Sequence, residues 1–153
     1  MNVLFVASEV APISQSGGLG DVVSALPQRL HELGVMTRIV IPFTSSIDLK
    51  LYNFEKALEY SISMGGLEEK IIVWKTNYIP TVPIYILENT RYFSSPFMYR
   101  DFNGFMEAAR YAFFSKAVLE LILQWDFQPD VIHTHDYYSG FIALFRNTSY
   151  KHN

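Results

Sequence analysis

Apolar positions along this chain follow two different periods, and the changes between them mark out its elements. Val3–Ala7 is a continuous apolar run, which suits a strand buried on both faces of a parallel sheet. Ser8–Leu19 carries Ser, Pro and Gly and reads as a loop. From Gly20 to Leu33, the residues Val22, Val23, Leu26, Leu30 and Leu33 recur at helical spacing, and Gly34 supplies a stop. Pro27 removes one ladder donor inside that stretch and predicts a kink or a broken turn. Thr37–Ile41 reads as a second strand, closed by Pro42. Strand, helix and strand in succession make a βαβ unit with a right-handed crossover.

The middle is less regular. Leu58–Met64 and Ile71–Asn77 favour strands, and Gly65, Gly66 and a charged stretch between them predict a hairpin. Pro83–Leu87 returns to the main sheet. Asn89–Asn103 is aromatic and polar without a period and reads as a long ordered loop, of the kind that usually carries function. Phe105–Trp125 places Ala109, Ala112, Phe113, Ala117 and Leu121 at three and four spacing, which predicts a long helix. Asp130–His133 reads as a strand and Tyr138–Arg146 as a helix, while the polar Ser149–Asn153 predicts no terminal element. The alternation gives an α/β fold with a mostly parallel sheet.

Composition narrows the class. The chain has 153 residues, one domain or part of a larger one, and 50% are hydrophobic, enough for a packed core rather than a disordered tail. The net charge of −3, with no basic run, argues against nucleic acid or an anionic membrane as partner. No cysteine is present, which removes disulfides, thiolate metal sites and cysteine nucleophiles. No apolar run reaches the roughly 18 residues of a membrane span. The N-terminus has no Lys or Arg before its apolar stretch and makes a poor signal peptide. A cytoplasmic enzyme domain is the expectation.

Two stretches carry candidate chemistry. Ser16-Gly17-Gly18-Leu19-Gly20-Asp21 follows the first strand and opens the first helix. Such glycines let a ligand approach the backbone, and the helix start favours an anion, although glycine-rich loops are also ordinary turns. The dinucleotide fingerprint fails because Val23 stands where a third glycine belongs, and no P-loop Gly-Lys-Ser/Thr is present. Asp21 reads either as an acid favoured by the helix dipole or as an acceptor for sugar hydroxyls. Farther on, His133-Thr134-His135-Asp136 follows Val131-Ile132. Both imidazoles share one face of a strand, but no third strong ligand is near in sequence, so no metal is expected. A hydrogen-bonded strand end is one alternative. A ligand site is the other, because crevices in open α/β sheets lie at the carboxyl ends of strands. Asp136 stands at such an end with Tyr137 and Tyr138 behind it, and rings beside a carboxylate suit a sugar. Glu9 ends the first strand and either reaches that crevice, caps the helix or faces solvent.

In order and spacing, these residues resemble the N-terminal part of bacterial glycogen synthases and plant starch synthases. The resemblance is carried by Val3-Leu4-Phe5-Val6-Ala7-Ser8-Glu9-Val10-Ala11-Pro12, Gly17-Gly18-Leu19-Gly20-Asp21-Val22, Ala25-Leu26-Pro27, Phe113-Phe114-Ser115-Lys116-Ala117-Val118-Leu119-Glu120 and Pro129-Asp130-Val131-Ile132-His133-Thr134-His135-Asp136. It runs from Met1 to about Phe145 and accounts for the helical proline.

The resemblance implies a GT-B glycosyltransferase, with two Rossmann-like domains and the active site between them. Residues 1–153 would be an incomplete N-terminal, acceptor-side domain of three αβα layers, with the nucleotide-binding domain absent or supplied by a partner chain. The implied reaction transfers glucose from ADP-glucose to an α-1,4-glucan with retention, without metal or other cofactor. Gln15, Gly17, Gly18, Asp21 and Asp136 would serve donor and sugar, and Glu9, His135, Tyr137 and Tyr138 the acceptor-side crevice. No complete catalytic set is present, so the chain by itself is expected to be inactive. Three positions depart from the family pattern. Gln15 replaces a lysine used near the donor, Tyr138 replaces a histidine, and Met106-Glu107 replaces an Asp-Asn pair. The alternatives are a non-catalytic glucan-binding or regulatory module of the same descent and a transferase using another nucleotide sugar.

Overall fold

The computed structural model describes residues 1–96 and 104–151. Six strands form one sheet in the order β3-β4-β5-β2-β1-β6. In chain order the elements are β1 (Asn2–Val6), α1 (Gly18–Glu32), β2 (Met36–Pro42), β3 (Glu55–Met64), β4 (Leu67–Thr76), β5 (Ile84–Glu88), α2 (Gly104–Gln124), β6 (Val131–Thr134), a 3-10 turn (Tyr137–Ser139) and α3 (Phe141–Asn147). Strands β5, β2, β1 and β6 are parallel, and the β3–β4 hairpin adds antiparallel beside β5. This is the expected α/β class with a mostly parallel sheet.

Alternation along β1 divides the core. Leu4 and Val6 face Phe113, Phe114, Ala117 and Leu121 of α2. Val3 and Phe5 face the other way, toward Val23 of α1, with Leu26 and Leu30 beside it. Helices therefore cover both sides, which is why β1 is apolar from Val3 to Val6. Full burial of each large apolar side chain contributes roughly 1.5–3 kcal/mol.

Several boundaries differ from the sequence expectation. Helix α1 runs unbroken through Pro27, which is buried against the sheet and whose carbonyl accepts from the Thr37 hydroxyl at 3.2 Å. The hairpin strands begin earlier than Leu58 and Ile71, at Glu55 and Leu67, because the polar residues there also pair in the ladder, Glu55 opposite Lys75 and Lys70 opposite Ser61. Gly65 and Gly66 form the two-residue turn, at φ of 62° and 79°, the left-handed region where glycine has no Cβ penalty. In the Asn89–Asn103 stretch, Asn89 caps its own turn by accepting from the Arg91 and Tyr92 amides, and Phe93 is fully buried. Residues 97–103 of that loop lie outside the described residues. The expected helix from Tyr138 is divided at Gly140 into the 3-10 turn and α3. Tyr150 anchors the end of the chain, its hydroxyl donating to Glu120 at 2.5 Å.

On the outer strand β6, His133 and His135 stack at 4.4 Å between ring centroids. Phe5 of β1 lies 4.9 Å and 5.8 Å from them. Burial, and then the charge of His133, lowers the pKa of His135 below its ordinary value. The unfolded chain therefore takes that proton more readily than the folded one. The resulting stability is complete above about pH 6.5 and is lost as pH falls from there through the lowered folded-state pKa. We expect His135→Phe to flatten the fall in Tm between about pH 7 and about pH 5, measured by thermal denaturation. Equal falls in wild type and variant would mean that His135 does not carry this dependence.

Candidate functional site

The chain leaves β1 through α1 toward β2 on one side, and returns from β5 through α2 to β6 on the other side of β1. The carboxyl ends of β1 and β6 thus mark the point where strand order reverses, the place where open α/β sheets bind ligands. Val6 is in register with Thr134, and the His135 amide donates to the Val6 carbonyl at 2.9 Å. The glycine loop and the His135–Asp136 segment, 120 residues apart in sequence, are thereby brought to one edge.

Glu9 organises the first of these segments. It is 1% exposed. Its Oε2 accepts from the Ser16 amide at 2.6 Å and from the Ser16 hydroxyl, and its Oε1 accepts from the Gly20 amide at 3.0 Å. Val10 and Ser14 exchange backbone hydrogen bonds of 2.9 Å, and the Ala11 amide donates to Gly20 O at 3.0 Å. Gln15 is exposed, and its Nε2 donates to the Gly17 carbonyl at 3.2 Å. Asp21 is exposed in the first turn of α1.

The glycines separate into two kinds. A Cβ on Gly20 would lie 3.1 Å from Gln15 Cγ and 3.3 Å from the Ala11 amide nitrogen, so packing holds that position small. A Cβ on Gly18 would meet nothing within 4 Å, and one on Gly17 only Glu9 Oε1 at 3.9 Å. Gly17 is extended at φ −157°, which any residue adopts. Neither conformation nor internal packing requires glycine at 17 or 18. Among the described residues, no hydrogen bond engages the amides of Gly18 and Leu19 at the start of α1.

Beside this loop lies a cavity of about 540 Å³. Glu9, Gln15 and Ser16 line one wall, and Thr44, Ser46 and Tyr52 another. The Tyr52 hydroxyl donates to the Pro12 carbonyl at 2.9 Å and ties the two walls together. The second wall was not anticipated from sequence, although the polar run after Pro42 at the carboxyl end of β2 is the signal that marks it. The described lining residues include the acids Glu9 and Asp48 and no lysine or arginine.

The residues after β6 have distinct fates. Asp136 is exposed and holds φ 61°, ψ 176°, a region that is essentially restricted to glycine. Its Oδ1 accepts from the Tyr137 amide at 2.7 Å. Tyr137 is 56% exposed, with its ring 5.2 Å from that of Tyr111. Tyr138, expected on the crevice, is fully buried instead. Its ring packs on Tyr111 at 4.5 Å and Phe114 at 5.8 Å, drawn inward by the aromatic face of α2. His135 is half-buried in the stack with His133 and Phe5, and its Nε2 is buried without a hydrogen-bond partner among the described residues. Those residues contain no group of three or more His, Asp or Glu able to hold a metal ion. At the third departing position, Met106 is exposed, while Glu107 accepts from the Tyr111 hydroxyl and pairs with Arg110 at 3.2 Å. Arg110 in turn donates to the Tyr92 carbonyl at 2.9 Å.

Residues 2–153 match the family described as starch synthase catalytic domain. A glycogen synthase of Geotalea daltonii is 39% identical over 147 residues, covering 94% of this chain and 30% of that protein. One from Streptococcus pneumoniae is 35% identical over 152 residues, covering 99% of this chain and 31% of that protein. The catalytic domain of starch synthase IV from Arabidopsis thaliana, bound to ADP and acarbose, superposes with a TM-score of 0.87 at 27% identity, covering 97% of this chain and 30% of that one. The chain thus spans under a third of the relatives it matches. Sequence and fold agree along nearly all of these residues, and the chain belongs to the starch synthase catalytic domain family.

Proposed function

We propose that residues 1–153 form the acceptor-side part of a retaining glucosyltransferase that extends α-1,4-glucan from ADP-glucose in the cytoplasm. A nucleotide-binding domain in the same polypeptide or a partner chain would hold most of the donor. The observation that carries the reading is Asp136, a carboxylate kept in a backbone region that costs roughly 1–3 kcal/mol for a non-glycine residue. The one hydrogen bond its side chain makes among the described residues, accepted from the Tyr137 amide, does not need an acid. Its position at the reversal of strand order supports a role toward a ligand.

In this reading the bare backbone of Gly17 and Gly18 admits a sugar, and the amides of Gly18 and Leu19 donate to its oxygens. Asp136 and Asp21 accept from hydroxyls, and the exposed Tyr137 ring covers a C–H face. Glu9, Asp21, Asp48 and Asp136 make the region acidic, which favours neutral hydroxyls over phosphates. The relatives' names support a glucan and a nucleotide sugar as substrates, and the solved relative carries ADP and acarbose. Gln15, turned onto Gly17 O where the family pattern carries a lysine, favours the second reading, a glucan-binding module without catalysis.

By itself the 153-residue chain is expected to transfer no glucose, because reaction requires donor and acceptor held together in reacting geometry. Incorporation of labelled glucose into glycogen above a no-protein control would overturn this.

In a polypeptide carrying both domains, Gln15→Lys should tighten ADP-glucose binding. The position is exposed, so the gain is modest, roughly 1 kcal/mol or about fivefold. Calorimetric titration at two salt concentrations checks it, and an unchanged Kd would argue against a donor role for this loop.

Asp136→Asn and Asp136→Gly separate binding from folding. Asparagine keeps the oxygen that accepts from Tyr137, and glycine relieves the backbone, so neither should lower Tm appreciably. Both should weaken maltooligosaccharide binding by about 10- to 100-fold, the loss of a charged hydrogen bond. A lowered Tm with unchanged affinity would make Asp136 structural.

A further inference from the structure

Glu9 is buried where a simpler solution was open to the sequence. Gly17 is the residue that precedes α1, and it supplies no side-chain cap. A serine or aspartate at position 17 would satisfy an amide of the first turn locally. The cap comes instead from the segment that follows β1, eleven residues before Gly20, through a carboxylate that is 1% exposed. Burying a carboxylate is costly unless its hydrogen bonds are made, and here three donors meet it.

The chemistry requires an acid. Two backbone amides approach different oxygens of one carboxylate, Ser16 on Oε2 and Gly20 on Oε1. A carboxylate accepts at both oxygens, whereas a carboxamide accepts at one and donates at the other. Whichever way a glutamine turned, one backbone N–H would face an NH₂ group. The residue is therefore specified as Glu, beyond its length and polarity.

Capping from a distance leaves positions 17 and 18 without side chains, beside open space, while fixing the loop at residues 16 and 20 on either side. It also leaves the Gly18 and Leu19 amides unengaged. We infer that Glu9 is a positioning residue whose buried carboxylate replaces the missing cap at Gly17 and holds the Gly17–Gly18 backbone bare and in place for a carbohydrate. It acts through the loop. This inference rests on the sugar-binding reading above.

The test combines amide hydrogen exchange with maltoheptaose titration on wild type, Glu9→Gln and Ser16→Ala. In Glu9→Gln the amides of Ser16 and Gly20 should exchange at least about tenfold faster while β2 amides keep their rates. Maltoheptaose affinity should fall by about tenfold or more. Ser16→Ala removes only the hydroxyl donor at an exposed residue. It should fold normally and lose about two- to fivefold in affinity, which decides the matter alone if Glu9→Gln does not fold. Unchanged exchange at Ser16 and Gly20 would overturn the clamp. Faster exchange with undiminished maltoheptaose affinity would leave a structural cap and overturn the positioning role. A wild-type chain that binds no maltoheptaose would instead remove the sugar reading itself, and the ligand role with it.

Discussion

Both halves of the chain return to β1, and that constraint orders the rest. The strand is flanked in parallel by β2 and β6 and covered on its two faces by helices from different halves. A strand in that position has no solvent face, so its side chains from Val3 to Val6 are apolar. It is also where strand order reverses, so the loop that leaves it and the loop that leaves β6 emerge together. The same burial that makes Val3–Val6 the core delivers Glu9 and Asp136 to one edge.

That edge is built from backbone more than from charged side chains. Gly17 and Gly18 have neither a conformational nor a packing reason to be glycine. The nearby acids are used in different ways. Glu9 spends its oxygens on the loop, while Asp136 has one local partner and stands exposed. In an acidic crevice without lysine or arginine on the described cavity wall, a neutral polyol meets less repulsion than a diphosphate.

The elements were legible in the sequence where one local rule decides. Continuous apolar runs mark β1 and β5, a β-rich stretch closed by Pro42 marks β2, and three-four spacing marks α2. Strand ends were harder. Lys70 reads as part of the charged turn until the ladder places it opposite Ser61, with its ammonium on the Glu59 carboxylate. Pro27 lacks one helical donor and so argues for a break, but the helix continues through it, with Pro27 buried and its carbonyl accepting from the Thr37 hydroxyl. For the site, the turn chemistry and the strand end were readable, but the direction of Tyr138 was not. A tyrosine after a carboxylate looks the same whether its ring faces a ligand or the core, and the choice is made by Tyr111 and Phe114 on a distant helix. Thr44, Ser46 and Tyr52 form a wall only once β2 lies beside β1.

The burial of Tyr138 explains how Asp136 is held. A residue at φ 61°, ψ 176° relaxes unless the chain is fixed on both sides. On the N-terminal side, His135 is paired to Val6 of the central strand. On the C-terminal side, the Tyr138 ring is sealed among Tyr111, Phe114 and the Arg110 guanidinium, and the Ser139 hydroxyl donates back to His135 O at 2.8 Å. Full burial of one large ring contributes roughly 1.5–3 kcal/mol, comparable to the roughly 1–3 kcal/mol of backbone strain it opposes. Two anchors three residues apart thus leave Asp136 no low-energy alternative. The side chain that sequence placed on the crevice works there from the interior, by fixing the backbone of the carboxylate that faces out.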